Sequence, residues 1–439
     1  MSGGASARAE LEACLRAALK AVDAGDAVSR VLEGRGRHLE IAGRPLPHRS
    51  ELVVLAVGKA AAAMASAVEA RAGERIRTGL VVTRPGHGLP LQRLPVLEAG
   101  HPVPDARSVA AADRALELAA GAGEGDVLLV LLSGGASALW SRPLAKLELE
   151  DLAATTSALL ACGAEIQEVN TVRKHLSALS GGRLARAARG AEIEVLVVSD
   201  VPGDRLEVIG SGPCQADPTS YRDALEVLER YEILERVPPA VRAWLEDGVR
   251  GEIEETPKPG DPALARVRTT IVACNRDARR AAAGAARELG LRAVELGESL
   301  RGEARELGLR LAALGRAVTS REPVVLVAGG ESTVTLRGRG RGGRNQEVAL
   351  AAALGLAGVP GVAVLAAGTD GSDGPTDAAG AFADGDTCAR SSALGLDAQK
   401  ALADNDAYSF FAREGGLLRT GPTRTNVMDL ALVRCAAVR

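Results

Sequence analysis

Six unbroken aliphatic positions, Val127 to Leu132, run straight into the small residues Ser133, Gly134, Gly135, Ala136 and Ser137. A run this short cannot offset helix nucleation, and one this continuous does not suit a half-exposed strand. It predicts a buried parallel strand whose carboxyl end opens onto a turn. The pattern recurs at residues 51–57, 79–83, 193–198, 269–274, 291–296, 323–328 and 362–367, the last of these being the final clear strand. Between such runs, apolar positions fall at helical spacing over residues 5–24, 108–120, 148–162, 275–289 and 300–314. Strands alternating with helices predict α/β layers.

At 439 residues the chain exceeds what one hydrophobic core serves, so two domains are expected. Residues 252–262, EIEETPKPGDP, are polar, proline-rich and aperiodic and read as the linker, which divides the chain into residues 1–255 and 256–439. Aromatic residues make up 2%, and 53 Lys plus Arg stand against 56 Asp plus Glu, a net charge of −3. That balance provides neither stacking platforms nor a basic field for nucleic acid, and no apolar run reaches bilayer length. The six cysteines are scattered, with no CxxC pair, as expected for core residues in a reducing compartment. The first residues lack a basic segment followed by an apolar one, so a cytoplasmic protein is expected. Monomer and homodimer both remain open.

Candidate chemistry gathers at the strand ends. Glycine amides can form a nest for phosphate, so Ser133, Gly134, Gly135, Ala136 and Ser137 are candidate nucleotide contacts, although a plain strand-to-helix turn gives the same pattern. Residues 51–57 lead into Gly58 and Lys59 before a strong helix former. A lysine is unusual in this arginine-rich chain, and a cation at a helix N-terminus opposes the dipole, which points to a bound anion. Asn170, Arg173 and Lys174 share one helical face and can address one polar ligand. Asp200, after the strand 193–198, is a candidate Mg²⁺ ligand. Ser211 and Gly212 form a second small loop, and Glu331 follows Gly329 and Gly330 at another strand end. His87 and His101 sit in Gly/Pro-rich turns and read as local hydrogen-bonders. Gly338, Gly340 and Gly343 match G-x-G-x-x-G, but no acidic residue follows at the ribose-binding distance, so the arginine-interleaved loop reads as a mobile anion clamp rather than a dinucleotide turn. Arg344, opening the next helix, suits bidentate capture of a carboxylate. Asp370, Asp373 and Asp377 lie among glycines after the strand 362–367; the bidentate glutamate of a calcium loop is missing.

Nine segments, AVGKAA, EAGHPVPD, LLSGGASAL, NTVRKHLSALSGG, VSDVPGD, GSGPC, GGEST, GRGGRNQE and GTDGSDGPTDAAG, closely resemble the glycerate 2-kinase family, the type II glycerate kinases with a C-terminal MOFRL-type domain. They run in order over nearly the whole chain. The resemblance implies ATP-dependent phosphorylation of D-glycerate at its 2-hydroxyl, with Mg²⁺. It implies two α/β domains, a larger N-terminal Rossmann-like parallel-sheet domain and a smaller C-terminal one, with the active site in the cleft between them. Lys59, Asp200, Arg344 and Asp370 match the family's active-site positions. In the mechanism this suggests, the 134–137 loop with Lys174 and Ser211 holds the ATP phosphates and Lys59 neutralises the transferring group. Asp200 or Asp370 carries Mg²⁺, Arg344 grips the glycerate carboxylate, and Asp373 orients or deprotonates the hydroxyl. An NAD(P)H-dependent hydroxypyruvate reductase and a non-catalytic metabolite sensor are the competing readings.

Overall fold

The computed structural model describes residues 2–438, arranged as two compact units. One runs from Ala24 to Val272; the other joins the residues up to Asp23 with those from Ala273 onward. The chain opens with α1 (Ser2–Ala21), which belongs to that second, discontinuous unit.

In the unit 24–272, unbroken aliphatic runs become strands. These are β1 (Leu52–Val57), β2 (Ile76–Thr83), β3 (Val96–Glu98), β4 (Val127–Leu132), β5 (Glu192–Val198) and β6 (Val267–Ala273). They form a six-stranded sheet in the order β3-β2-β1-β4-β5-β6. β1 pairs in parallel with both β2 and β4, and β4 pairs in parallel with β5. Every residue of β1 and β4 is buried, as expected for strands covered on both faces. The chain progresses one way from β1 and the other way from β4, so their adjacent carboxyl ends form a topological switch point, where α/β sheets open a crevice for ligands. α2 (Ala61–Ala72) follows β1, and α3 (Ala106–Ala120) is capped by Asp105, whose carboxylate accepts the N–H groups of Arg107 and Ser108. α4 (Ile166–Leu176) packs Val169, Val172 and Leu176 into a satellite core with Tyr221 and Leu228.

The second sheet has another logic. β7 (Arg292–Glu295), β8 (Val324–Gly330), β9 (Val362–Gly368), β10 (Gly380–Asp384), β11 (Leu417–Leu418) and β12 (Asp429–Cys435) run in the order β7-β8-β12-β9-β10-β11. β12 is antiparallel to both β8 and β9, with Asp429 opposite Gly330 on one side and Gly368 on the other. The carboxyl ends of β8 and β9 therefore meet at the first residue of β12. α5 (Asn275–Glu288), α6 (Ala304–Ala317) and α7 (Arg344–Leu356) cover this sheet. α6 and α7 approach so closely that a Cβ on Gly308 would lie 2.2 Å from the Val348 carbonyl oxygen.

Several expectations differ from this architecture. Residues 252–262 are not a linker. Asp217 N–H donates to the Pro257 carbonyl at 2.8 Å, Thr256 Oγ1 to Asp217 at 3.1 Å, and Arg186 to Asp261 at 2.8 Å, so the segment is tied into the unit 24–272. The expected division after residue 255 accordingly gives way to crossings after Asp23 and Val272. Residues 269–274 contribute an edge strand to the first sheet instead of opening the second. The strand Asp429–Cys435, central to the second sheet, was not among those expected, because an aspartate at its start and Arg434 near its end break the aliphatic run.

α1 packs Leu11, Cys14, Leu15 and Ala18 inward, lies against α5, and is pinned by Arg434 Nε donating to Glu10 at 3.0 Å. Leu11 is fully buried. Leu11→Ala should therefore lower the unfolding free energy by about 2–5 kcal/mol, read by urea denaturation. A loss well below 1 kcal/mol would mean that α1 is not part of that core.

Candidate functional site

At the switch point the turns after β1 and β4 interlock. Gly58 has φ 123°, and a Cβ there would lie 2.2 Å from Ser133 Oγ and 2.4 Å from the Ser133 carbonyl oxygen. Glycine is thus required for conformation and for space. Three hydrogen bonds join the turns: Ser133 N–H to the Val57 carbonyl at 3.0 Å, Lys59 N–H to the Gly134 carbonyl at 2.9 Å, and Ala60 N–H to Ser133 Oγ at 3.1 Å. Gly135 has φ 89°; a Cβ there would sit 2.8 Å from His101 Nε2 and 3.7 Å from Lys59 Cγ. The Lys59 stem, the His101 ring and the glycine turn are therefore neighbours. His87 supports Lys59 from behind: its Nδ1 lies 3.2 Å from the Lys59 carbonyl while its Nε2 accepts from Arg84 Nε at 2.7 Å, which fixes Nδ1–H as the donor tautomer. Ala136 is buried, and Ser137 Oγ lies 2.8 Å from Ser211 Oγ. Ser211 holds φ 62° between Gly210 and Gly212, an uncommon backbone state for a residue with a side chain and one that tends to mark ligand-holding loops. Asp200, two residues past β5, lies at the same edge of the sheet.

The candidates Gly58, Lys59, residues 133–137, Ser211 and Gly212 thus lie beside one another at this edge of the sheet. Sequence reasoning set His101 aside, because nothing in the spacing around a lone loop histidine shows which glycine it will face.

Lys174 is a different case. Its Nζ donates to Asp217 Oδ1 at 2.5 Å, with both side chains buried. Burial pushes the Asp217 carboxyl up, but the Lys174 ammonium outweighs it and holds the group below its ordinary value. This lysine pins the segment around residue 217, where Thr219 and Thr256 also donate to Asp217. Its charge is spent inside the protein.

In the second unit, Arg344 opens α7 and reaches Asp429: Nε to Oδ2 at 2.5 Å and Nη2 to Oδ1 at 3.0 Å. Its Nη1 lies 2.7 Å from Glu331. Burial works against the guanidinium charge, yet Asp429 and Glu331 hold its pKa above the ordinary value. Glu331 is thus an arginine partner here, and Asp429, absent from the expected set, supplies the bidentate carboxylate. Three N–H directions of Arg344 are occupied and two remain.

Asp373 accepts four N–H groups: Asn345 N at 3.0 Å and Nδ2 at 3.2 Å on Oδ1, Gln346 N at 2.8 Å and Nε2 at 3.0 Å on Oδ2. It caps α7 from a distant loop. Burial raises its pKa to about 6, against those hydrogen bonds. Asp370 accepts from Ser372 N and Oγ, each at 3.0 Å. Among the described residues, no three His, Cys, Asp or Glu side chains gather as a ready metal cage.

The arginine–glycine loop is not a mobile clamp. The N–H groups of Arg337 and Gly338 donate to Asn405 Oδ1, those of Arg339 and Gly340 to Asp404, and that of Arg341 to Asp406. A Cβ on Gly338 or Gly340 would lie about as close as 2.2–2.4 Å to the 404–406 turn. The glycines exist for this docking.

Family models match residues 10–246, as a domain of unknown function (DUF4147), and residues 324–429, as the MOFRL family. A glycerate 2-kinase of Pyrococcus horikoshii is 42% identical over 94% of this chain and 94% of its own. The chain belongs to the glycerate 2-kinase family. Another relative, from Agrobacterium vitis, bears the provisional name hydroxypyruvate reductase at 43% identity over 88% of this chain and 87% of its own. The crystal structure of a glycerate kinase from Thermotoga maritima superposes with TM-score 0.85 and 39% identity, covering 98% of this chain and 100% of that one. As a kinase of this family the chain uses a nucleotide as phosphoryl donor and a small molecule as acceptor. No described helix is long and apolar enough to cross a membrane.

Two substitutions test the geometry. Gly58→Ala should cost about 1–3 kcal/mol and impair nucleotide binding, measured by denaturation and calorimetry; an unperturbed variant would contradict the interlock. Asp373→Ala strips one acceptor from four N–H groups at the start of α7 and should cost about 2 kcal/mol in a denaturant titration.

Proposed function

We propose that this kinase transfers the γ-phosphoryl group of ATP to the 2-hydroxyl of D-glycerate, giving 2-phosphoglycerate and ADP, with Mg²⁺. The observation that carries the reading is the interlocked pair of glycine turns at the switch point, with Lys59 beside them. Phosphoryl transfer asks for positioning and charge neutralisation more than covalent chemistry, and a nest of amides with a cation supplies both.

In this reading the Ser133–Ser137 turn, with Gly58, Ser211 and Gly212, holds phosphate oxygens, and Lys59 neutralises the transferring group. His101, against Gly135, is positioned to help. Asp200 or Asp370 is the candidate Mg²⁺ ligand; a magnesium site can use a single carboxylate together with phosphate oxygens, so either alone suits it. Mg²⁺, when bound, would offset charge on the phosphates. Arg344 meets the glycerate carboxylate with its two remaining N–H directions, held in aim by Asp429 and Glu331. Asp373 is better assigned to capping α7 than to proton abstraction, since four N–H groups already engage its oxygens. Lys174 likewise leaves the list of phosphate contacts.

The reductase reading is disfavoured at one point. A dinucleotide turn offers its helix N-terminus to a pyrophosphate. Here the amides at the start of α7 serve Asp373, and those of the glycine loop serve residues 404–406.

The decisive experiment couples ADP release to D-glycerate addition, run beside NADH oxidation with hydroxypyruvate. Glycerate-dependent ADP formation is expected; NADH consumption without it would reverse the assignment. Lys59→Met should lower kcat by about 10²–10³ while leaving the fold intact, as judged by circular dichroism. Phosphorus NMR of the product checks the 2-position.

A further inference from the structure

α4 presents Asn170, Arg173 and Lys174 on one stripe, beside the face that Val169, Val172 and Leu176 turn to the core. Lys174 is neutralised by Asp217. Arg173 is not neutralised by anything the protein provides: among the described residues its guanidinium meets no carboxylate and no hydrogen-bond acceptor, and burial pulls its pKa down with no acid to oppose it. Asn170, 7% exposed, also has no hydrogen-bond partner for its side chain among the described residues.

Other buried or half-buried arginines are treated differently. Arg75 donates to Ser50 and to the Gly36 carbonyl, Arg279 to Asn275 with Glu295 nearby, and Arg183 to Tyr221 and the Lys174 carbonyl. A half-buried charge without a partner has given up part of its hydration for nothing, and a buried amide without one is costly too. Two such groups one turn apart share the requirement for an external oxygen anion, and together they present a forked cation with an adjacent amide donor. The location narrows the anion. α4 packs beside the 3-10 turn Ile209–Ser211, whose Ser211 meets Ser137 of the glycine turn, so the stripe belongs to the same unit as the phosphate nest.

We propose that Arg173 and Asn170 bind a phosphate oxygen of the donor nucleotide, and that Arg173, not Lys174, is the charge α4 contributes to the ligand. This rests on the kinase reading of that site. Two adjacent cations thereby divide the work, with Lys174 holding the protein together and Arg173 holding the nucleotide.

The test uses the full chain with Arg173→Met, Arg173→Lys, Asn170→Ala and Lys174→Met. ATP binding without acceptor is measured by calorimetry, KM for ATP and for D-glycerate separately, and Tm for each variant. Arg173→Met should weaken ATP binding about tenfold or more, with Tm unchanged or raised, because an unpaired charge is removed. KM for glycerate should stay within about twofold, Arg173→Lys should restore part of the ATP affinity, and Asn170→Ala should weaken it by less. Lys174→Met should lower Tm by leaving Asp217 unpaired. Unchanged ATP affinity in Arg173→Met, an effect on glycerate KM instead, or a Tm loss like that of Lys174→Met would overturn the proposal. Wild-type protein that binds ATP but does not phosphorylate glycerate would sink the acceptor assignment alone, since the calorimetric comparison still judges Arg173.

Discussion

The close passage of the Gly58 backbone over Ser133 is the constraint on which the carboxyl edge of the first sheet depends. The residue after β1 must lie against the residue after β4 with no side chain between them, in a conformation that only glycine adopts without strain. The consequence is local rigidity. Because the two turns share backbone hydrogen bonds, the amides of the glycine turn cannot shift without moving Lys59. Preorganised donors cost little reorganisation when charge develops on a ligand, and a turn pair held this way has its donors fixed in advance.

The second unit solves a matching problem by ion pairing. Arg344 projects from a helix start, where its own charge opposes the dipole, and burial adds to the cost. Asp429, held at the head of the central strand, and Glu331 at the end of β8 offset both. Asp429 is buried, so removing the arginine would leave that carboxylate without its compensating charge. The guanidinium is therefore fixed in place rather than searching.

Legibility in the sequence followed hydrophobic continuity. β1, β4, β8 and β9 announce themselves as aliphatic runs, and the small residues after β1 and β4 mark the switch point. β12 stayed hidden, since its Asp429 and Arg434 disguise a strand buried in the middle of a sheet. With β12 hidden, its aspartate was hidden as well, so the carboxylate that grips Arg344 from behind could not be read. Lys174 misled for a related reason: composition identifies a rare lysine near small loops, but only the fold reveals that Asp217, forty-three positions on, reaches it first. The glycine-rich arginine loop looked like a ligand turn because close approach to a neighbouring turn and close approach to a phosphate demand the same residue.

The placement of α1 carries a consequence for how the molecule is made. Its partners, α5 and the strands Val362–Gly368 and Asp429–Cys435, are encoded hundreds of residues later, after the whole of the unit 24–272. At ribosomal elongation rates this amphipathic helix waits on the order of tens of seconds with its apolar stripe uncovered, while the intervening unit has everything it needs to fold. Synthesis of the strands Val362–Gly368 and Asp429–Cys435 is thus what retires the apolar stripe of α1, and a stall before them would leave that surface sticky.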